Sequence, residues 1–359
     1  MQQERAALGN LGELTAQFPG LAGKYQRRIA GQGLLDIEQA GSIRVARLLL
    51  DRQGAPAVRT PGVVHHGLDL VGKGLSAMLT VAARLVALAP LTDNGGFCVV
   101  QRRLPGDSMT EERVERLLAQ VHDQYGTISV LEVEDYRFLE FGEAIEQSCV
   151  FTADPSWLEY DYTRAMLIGA LAHPEPESAL FLGLGAGTLT QACLKFLPLE
   201  DVEAIELRPD VPRLAIEYMG LDDDPRLYIR IGDAMELLET AECADLIFVD
   251  LYTDHGPGVA HLAWSFLENC QKRLNPGGWL VINQWAGDDG KPLGAALLRG
   301  LYHRHYWELP VKEGNVILMV PADLDQQLDL PGLTARAEAL APQLGYSLQP
   351  LIGAIRPAS

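Results

Sequence analysis

Ala179-Leu-Phe-Leu-Gly-Leu-Gly-Ala-Gly-Thr188 is a short apolar run that ends in glycines at positions 183, 185 and 187. A helix-like segment, 189–196, follows at once, and then a second apolar run that ends in an acid, Val202-Glu-Ala-Ile-Glu206. Strand, glycine turn, helix, strand and acid is the layout of a nucleotide-binding crevice in an open α/β sheet. Glycines let the backbone come close to a ligand, and an acid at the end of the second strand can accept both hydroxyls of a ribose. A tight turn with no ligand would use glycines too, so the rest of the chain has to decide.

Three further segments agree with the crevice. Gly232-Asp233-Ala234 follows the strand-like Leu227-Tyr-Ile-Arg-Ile231, and Ala244-Asp-Leu-Ile-Phe-Val-Asp250 is another apolar run ending in an acid. Asn275-Pro-Gly-Gly278 is a turn into Trp279-Leu-Val-Ile-Asn283. These strands deliver turn glycines or carboxylates to one edge of one sheet, and ligands bind at that carboxyl edge.

The 359 residues suffice for two domains with an ample core. Hydrophobic content of 48% and charged content of 21% exclude wholesale disorder. Five cysteines, at 98, 149, 193, 243 and 270, contain no C-x-x-C pair, which argues against a zinc site or a disulfide framework and for reduced thiols in a cytoplasmic setting. No metal site is expected. The polar opening segment predicts no secretory leader, and the most apolar window, 75–91, is too short to span a bilayer and contains Arg84. The net charge of −19 is uneven: residues 1–120 hold 14 Lys and Arg against 11 Asp and Glu, and the remaining 239 hold 15 against 37. An acidic field repels nucleic acid and suits a small cationic amine, although solubility alone would also explain it.

Residues 1–122 read as a mainly helical region. Apolar residues fall at helical spacing in 43–50 and 75–88, and 110–122 has the pattern of an amphipathic helix with a Thr cap. His65-His66 and Arg27-Arg28 are read as loop histidines and a solvated face. Residues 123–160 carry three strand-like stretches, 128–133, 136–141 and 148–151, and predict a small antiparallel β domain. Residues 161–359 predict a Rossmann-like α/β domain whose last two strands, near 306–309 and 315–320, form an antiparallel edge.

From about 124 to 320, this order resembles the spermidine-synthase-like family of aminopropyltransferases, which places a small β-hairpin domain before a class I methyltransferase fold. Tyr125 lies where that family has a Tyr-Gln pair, with Gly126 in place of the glutamine; Tyr162 with Met166 is similar to the family's Tyr-x-Glu-Met helix, with Arg164 in place of the acid. The resemblance implies a decarboxylated S-adenosylmethionine or S-adenosylmethionine as co-substrate. It implies that Gln147 touches the methionine part of the nucleotide and that Gly183, Gly185 and Gly187 form the nucleotide loop. Glu206 would hold the ribose, Asp233 with Ala234 the adenine, and Asp250 would be the base facing an amine. Tyr162, Tyr252 and Asp254 would lie on the substrate side. Family members often pair through the small sheet, which implies a homodimer.

Two departures bear on the chemistry. The family motif Ser-Ser-Asp-Pro after the base is Leu251-Tyr-Thr-Asp254 here, and the aspartate that the family carries inside the glycine loop is Ala186. That aspartate holds the amine of the aminopropyl arm and rejects a methionine carboxylate, so its loss removes both effects unless another acid supplies them. Three readings follow: aminopropyl transfer to a polyamine, methyl transfer from intact S-adenosylmethionine, and a non-catalytic nucleotide-binding protein. Trp157, Tyr160, Tyr252, Trp264 and Trp285 are candidates to line an acceptor pocket.

Overall fold

The computed structural model describes residues 97–102, 104, 111–142, 145–253, 256–257 and 263–358. All of them belong to one compact unit, Ala89–Ser359. The expectations for helices at 43–50 and 75–88, for Arg27-Arg28 and His65-His66, and for Asp254 fall outside the described residues.

The first sheet has the strand order β1 (Phe97–Arg102), β2 (Glu111–Asp123), β3 (Gly126–Val133), β4 (Tyr136–Phe141) and β5 (Ile145–Phe151), each antiparallel to its neighbour. The three expected strands are present as β3, β4 and β5. The amphipathic helix expected over 110–122 is instead the long strand β2, so the small sheet starts well before residue 123. The cause is a β-bulge: the β2–β3 register slips between Leu117 and Ala119. One extra residue shifts the two-residue alternation by a step. Leu117 then packs into one core cluster, whereas Ala119 and Val121 pack into another. Val114, Leu117, Leu118 and Val121 thereby acquire helical spacing while lying on a strand. The charges on the same segment pair across strands, Arg116 with Glu132 and Arg113 with Glu134.

The second sheet is built from β6 (Ser178–Leu182), β7 (Asp201–Glu206), β8 (Leu227–Ile231), β9 (Ala244–Val249), β12 (Leu274–Trp285), β13 (Trp307–Pro310), β14 (Asn315–Pro321) and β15 (Arg356–Pro357). Its order is β15-β13-β14-β12-β9-β6-β7-β8. The strands from β12 to β8 run parallel, and β14, β13 and β15 form the antiparallel edge. The expected doubly wound sheet with an antiparallel edge, a class I methyltransferase-like fold, is therefore what the chain adopts. Two-residue strands β10 (Tyr252–Thr253) and β11 (Gly256–Pro257) pair on the loop after β9.

Strands covered on both faces read as continuous apolar runs, because both alternating sets are buried. Phe181 and Phe248 face α1 (Asp161–Ala170), α2 (Thr188–Phe196), α3 (Asp210–Tyr218) and α7 (Leu330–Leu344) in one cluster. Leu180, Leu182, Ile247 and Val249 face α4 (Ala234–Leu237), α5 (Trp264–Lys272) and α6 (Ala295–Tyr302) in the other. The Phe181 and Phe248 rings stack at 4.5 Å and 8°, worth about 1 kcal/mol beyond the area they bury. Ile128, Val130, Leu139 and Val150 of the small sheet belong to the first cluster, so that sheet is packed onto the larger one. The short α8 (Gln349–Ile352) adds Ile352 to it. Among the described residues no helix is long and apolar enough to cross a membrane.

Candidate active site

The parallel strands end side by side. The amide of Gly183 donates to Ile205, that of Asp250 to Leu182, and that of Gly232 to Glu206. Gly183, Glu206, Gly232-Asp233 and Asp250 are thus held at one edge by the sheet's own hydrogen bonds. Gly183 has φ +94°, and a Cβ there would lie 2.4 Å from the Asp250 carbonyl oxygen, so only glycine lets the first loop and the strand carrying Asp250 come this close. A cavity of about 700 Å³ opens at this edge. Gln147, Gly183, Gly185, Glu206, Asp233, Ala234, Asp250, Tyr162 and Tyr252 all line it. The crevice is open, and the three expected carboxylates share it. Gly187 does not reach it: this residue starts α2 in the left-handed region and is turned against Leu221. Tyr125, 42% exposed, is also absent from the lining.

Glu206 is buried and uses both oxygens on backbone. Oε2 accepts from the Leu184 amide at 3.1 Å and Oε1 from the Arg208 amide at 3.0 Å. Burial pushes its pKa up, and the amides of Arg208, Leu184 and Gly185 pull it back down. Asp233 caps α4, its Oδ1 accepting from the Met235 amide at 2.8 Å. The Asp250 carboxyl is enclosed by the cavity floor, which pushes its pKa up to about 6; a hydrogen bond from Asn283 Nδ2 to Oδ1 at 2.8 Å acts in the opposite sense. Asn283 is itself fixed, because its Oδ1 accepts from Asn315 Nδ2 at 2.9 Å. Burial raises the pKa of Tyr162 well above its ordinary value, with the Asp250 charge adding to the effect, and the same causes raise that of Tyr252. Both phenols therefore stay protonated and offer hydroxyls, not charges.

Two contacts tie the small sheet to this edge. Ser148 Oγ accepts from the Ala186 amide at 3.1 Å, and a Cβ on Gly185 would come within 2.6 Å of that oxygen. Arg208 makes a two-point ion pair with Asp123, Nε to Oδ2 at 2.9 Å and Nη2 to Oδ1 at 2.8 Å, and also donates to the Gly126 carbonyl at 2.9 Å. Its guanidinium lies 4.4 Å from the centre of the Phe141 ring. Arg208 is the only cationic side chain among the described lining residues, and Asp123 engages it, whereas Glu146, Glu206, Asp233, Asp250 and Glu313 supply five carboxylates.

Of the candidate aromatic residues, Tyr160, Tyr252 and Trp285 line the cavity. Trp157 instead packs edge-on against Tyr346, and Trp264 is half exposed away from the site. Sequence reasoning did not single out Asn283, Asn315, Arg208 or Ser148 as site residues. The available signal for Asn283 was a lone amide at the end of an apolar strand. No comparable signal marks Arg208, whose place depends on a turn eighty residues earlier in the chain.

Residues 161–286 match the family model of the spermine/spermidine synthase domain. The polyamine aminopropyltransferase of Vibrio vulnificus is 28% identical over 239 residues, covering 62% of this chain and 78% of that protein. A human eEF1A lysine and N-terminal methyltransferase is 27% identical over 208 residues, covering 52% of this chain and 30% of that protein. The crystal structure of a probable spermidine synthase from Corynebacterium glutamicum shares the fold, with a TM-score of 0.51 at 22% identity, covering 61% of this chain and 86% of that one. Over the domain that holds the crevice the chain is thus similar to the spermine/spermidine synthase family, and the polyamine aminopropyltransferase relatives carry the likeness over most of their own length.

Proposed function

We propose that this chain is a transferase that moves an aminopropyl group from a decarboxylated S-adenosylmethionine-type sulfonium to a small amine of the polyamine class. The observation that carries this reading is the charge of the cavity: five carboxylates and a single arginine that is committed to Asp123. An ammonium-bearing donor and a polycationic acceptor both match such a lining. A donor that kept its carboxylate would lack a counter-charge in a partly enclosed site, which is costly.

In this reading the nucleoside lies across the carboxyl edge, its ribose hydroxyls donating to Glu206 and its adenine beside Asp233 and Ala234. The glycine loop and Gln147 border the sulfur and its arm. The acceptor nitrogen faces Asp250. An aliphatic amine is protonated at neutral pH and cannot attack until it loses a proton. Asp250, held by Asn283 and with a pKa near 6, is ionised at neutral pH yet basic enough to assist. The amine nitrogen forms a bond to the carbon attached to sulfur. The carbon–sulfur bond breaks with its electron pair going to sulfur, leaving a neutral thioether, and Asp250 takes the proton. General-base assistance is worth about 10²–10⁴-fold, and alignment within the cavity supplies a larger share.

Methyl transfer from intact S-adenosylmethionine is the weaker second reading. The observation that favours it is Ala186, which leaves the glycine loop without a charge. Product identity separates the two. Incubation with a diamine and each donor form should yield methylthioadenosine from the decarboxylated donor. S-adenosylhomocysteine from the intact donor would instead establish methyl transfer. Neither product, with thermal stabilisation by a nucleoside, would leave the non-catalytic nucleotide-binding reading, and no stabilisation by either nucleoside would count against all three.

A further inference from the structure

Strand β8 (Leu227–Ile231) is the outer strand of the large sheet, and among the described residues it pairs with β7 alone. The Val202 amide donates to the Arg226 carbonyl, and the Gly232 amide donates to that of Glu206. In a parallel ladder a strand turns the backbone groups of every second residue to one neighbour. Tyr228 and Arg230 therefore direct theirs to β7, and Leu227, Ile229 and Ile231 direct theirs to the open edge. The Leu227 amide is taken by the Asp224 carbonyl at 2.9 Å. An edge of this kind is a template for another strand, and proteins commonly blunt it with Lys, Pro or a bulge. β8 has none of these. Its charged residue, Arg230, is folded onto Glu203 at 2.7 Å and Thr240 at 2.8 Å, while Tyr228 is 65% exposed and Ile231 46%.

The sequence Leu-Tyr-Ile-Arg-Ile is complementary to itself read backwards. An antiparallel second copy must set outward-facing residues opposite one another, so a two-fold axis can pass through Tyr228, Ile229 or Arg230. An axis at Tyr228 brings Arg226 against Arg230 of the copy, and an axis at Arg230 sets two arginines face to face; like charges directly opposite are unfavourable. An axis at Ile229 avoids both. It pairs Ile229 with Ile229, Leu227 with Ile231 and Tyr228 with Arg230. The two Ile229 residues exchange backbone hydrogen bonds, and each Ile231 amide reaches a Leu227 carbonyl. Because the Arg230 fork is occupied by Glu203 and Thr240, it offers the tyrosine its flat face, the geometry of a cation–π contact. Tyr228 and Arg230 border a cavity of about 420 Å³, which has room for the incoming ring.

We propose that two copies of this chain associate through β8, antiparallel about a two-fold axis at Ile229, to form one continuous sheet. This contact is distinct from pairing through the small sheet and does not depend on the proposed function. A five-residue strand makes a small interface, so the dimer is reversible, with a dissociation constant of about 1–100 μM. Asp222, Asp223 and Glu236 flank the strand at its two ends, so salt, which screens them, should strengthen the association.

Sedimentation velocity of the full chain across that concentration range tests the proposal. The wild type should pass from monomer to dimer. Tyr228→Arg sets arginine against arginine, and Ile231→Lys places a charge on the edge. Each should weaken the dimer about 10-fold or more with Tm unchanged, because both side chains are exposed in the monomer. Cross-linking fixes the register. In a Cys243→Ser background, Ile229→Cys should give a disulfide-linked dimer on mild oxidation, since hydrogen-bonded partners lie about 5.5 Å apart at Cα. Tyr228→Cys should not, since its two copies lie a diagonal apart, about 7–8 Å. A chain that stays monomeric throughout, a dimer that both charge substitutions leave unchanged, or cross-linking by Tyr228→Cys but not by Ile229→Cys would overturn the proposal. Each of these results would leave the proposed function standing.

Discussion

Asn283 Nδ2 lies 2.8 Å from Asp250 Oδ1 and donates to it, from the strand next to the one that ends in Asp250. This amide is the one group that counters the effect of burial on Asp250. It holds the carboxylate in one orientation while the enclosure keeps it basic. Asn283→Ala should therefore raise the pKa of Asp250 further. The acid limb of the kcat/KM–pH profile should move up by about one unit, the worth of one charged hydrogen bond. A lower rate with an unmoved limb would mean that Asn283 acts only through packing.

The ionisation of Asp250 sets a pH dependence of its own. Its pKa is raised from 3.8 to about 6, so the rate should fall as pH drops through about 6. The native state then binds more protons than the unfolded state between those two values, so this residue's share of stability is lost as pH rises through that window. Asp250→Asn should accordingly lower kcat by about 10² or more, leave nucleoside affinity nearly intact, and raise Tm at neutral pH. Lost nucleoside binding, or a lower Tm, would show that Asp250 has a different role.

Glu206 supports its own loop while lining the cavity. Glu206→Gln would point an amide at either the Leu184 or the Arg208 N–H, both of which need an acceptor. Leaving a buried donor unmatched costs about 1–3 kcal/mol. Both thermal stability and nucleoside affinity should drop. Asp233→Asn differs, because the asparagine oxygen still caps α4. It should weaken nucleoside binding with little change in Tm. Equal effects of the two substitutions on both readouts would contradict these assignments.

The Arg208–Asp123 pair joins the β2–β3 turn to the segment after Glu206. The Arg208 side chain is 4% exposed and that of Asp123 15%. Asp123→Ala would strand a buried guanidinium, at a cost of about 3 kcal/mol or more. It should also free a positive charge beside the cavity and thereby weaken binding of a cationic acceptor. Denaturant unfolding and acceptor KM measure the two effects separately.

The doubly wound sheet was legible because its parallel strands are covered on both faces. They appear in the sequence as unbroken apolar runs, and the glycines and acids that end them, from Gly183 to Asp250, mark the edge where the cavity opens. Strand β2 was not legible, because the bulge near Leu118 gives a strand the spacing of a helix. Cavity-lining residues on the ends of central strands could be picked out from local pattern alone. Glu146, Ser148, Arg208 and Asn315 could not, because each acquires its part only when the small sheet or the antiparallel edge closes on the larger sheet. Ala186 was read only as the loop position where the family carries an aspartate, and the structure buries it in the core.

The central claim is that a thioether or sulfonium nucleoside spans Glu206 and Asp233 with its reactive end toward Asp250. A crystal structure of the chain with methylthioadenosine and a diamine tests it most directly. The account predicts ribose hydroxyls on Glu206, adenine beside Asp233, and a diamine nitrogen about 3 Å from Asp250. A nucleoside bound away from this edge, or one whose sulfur points away from Asp250, would contradict it.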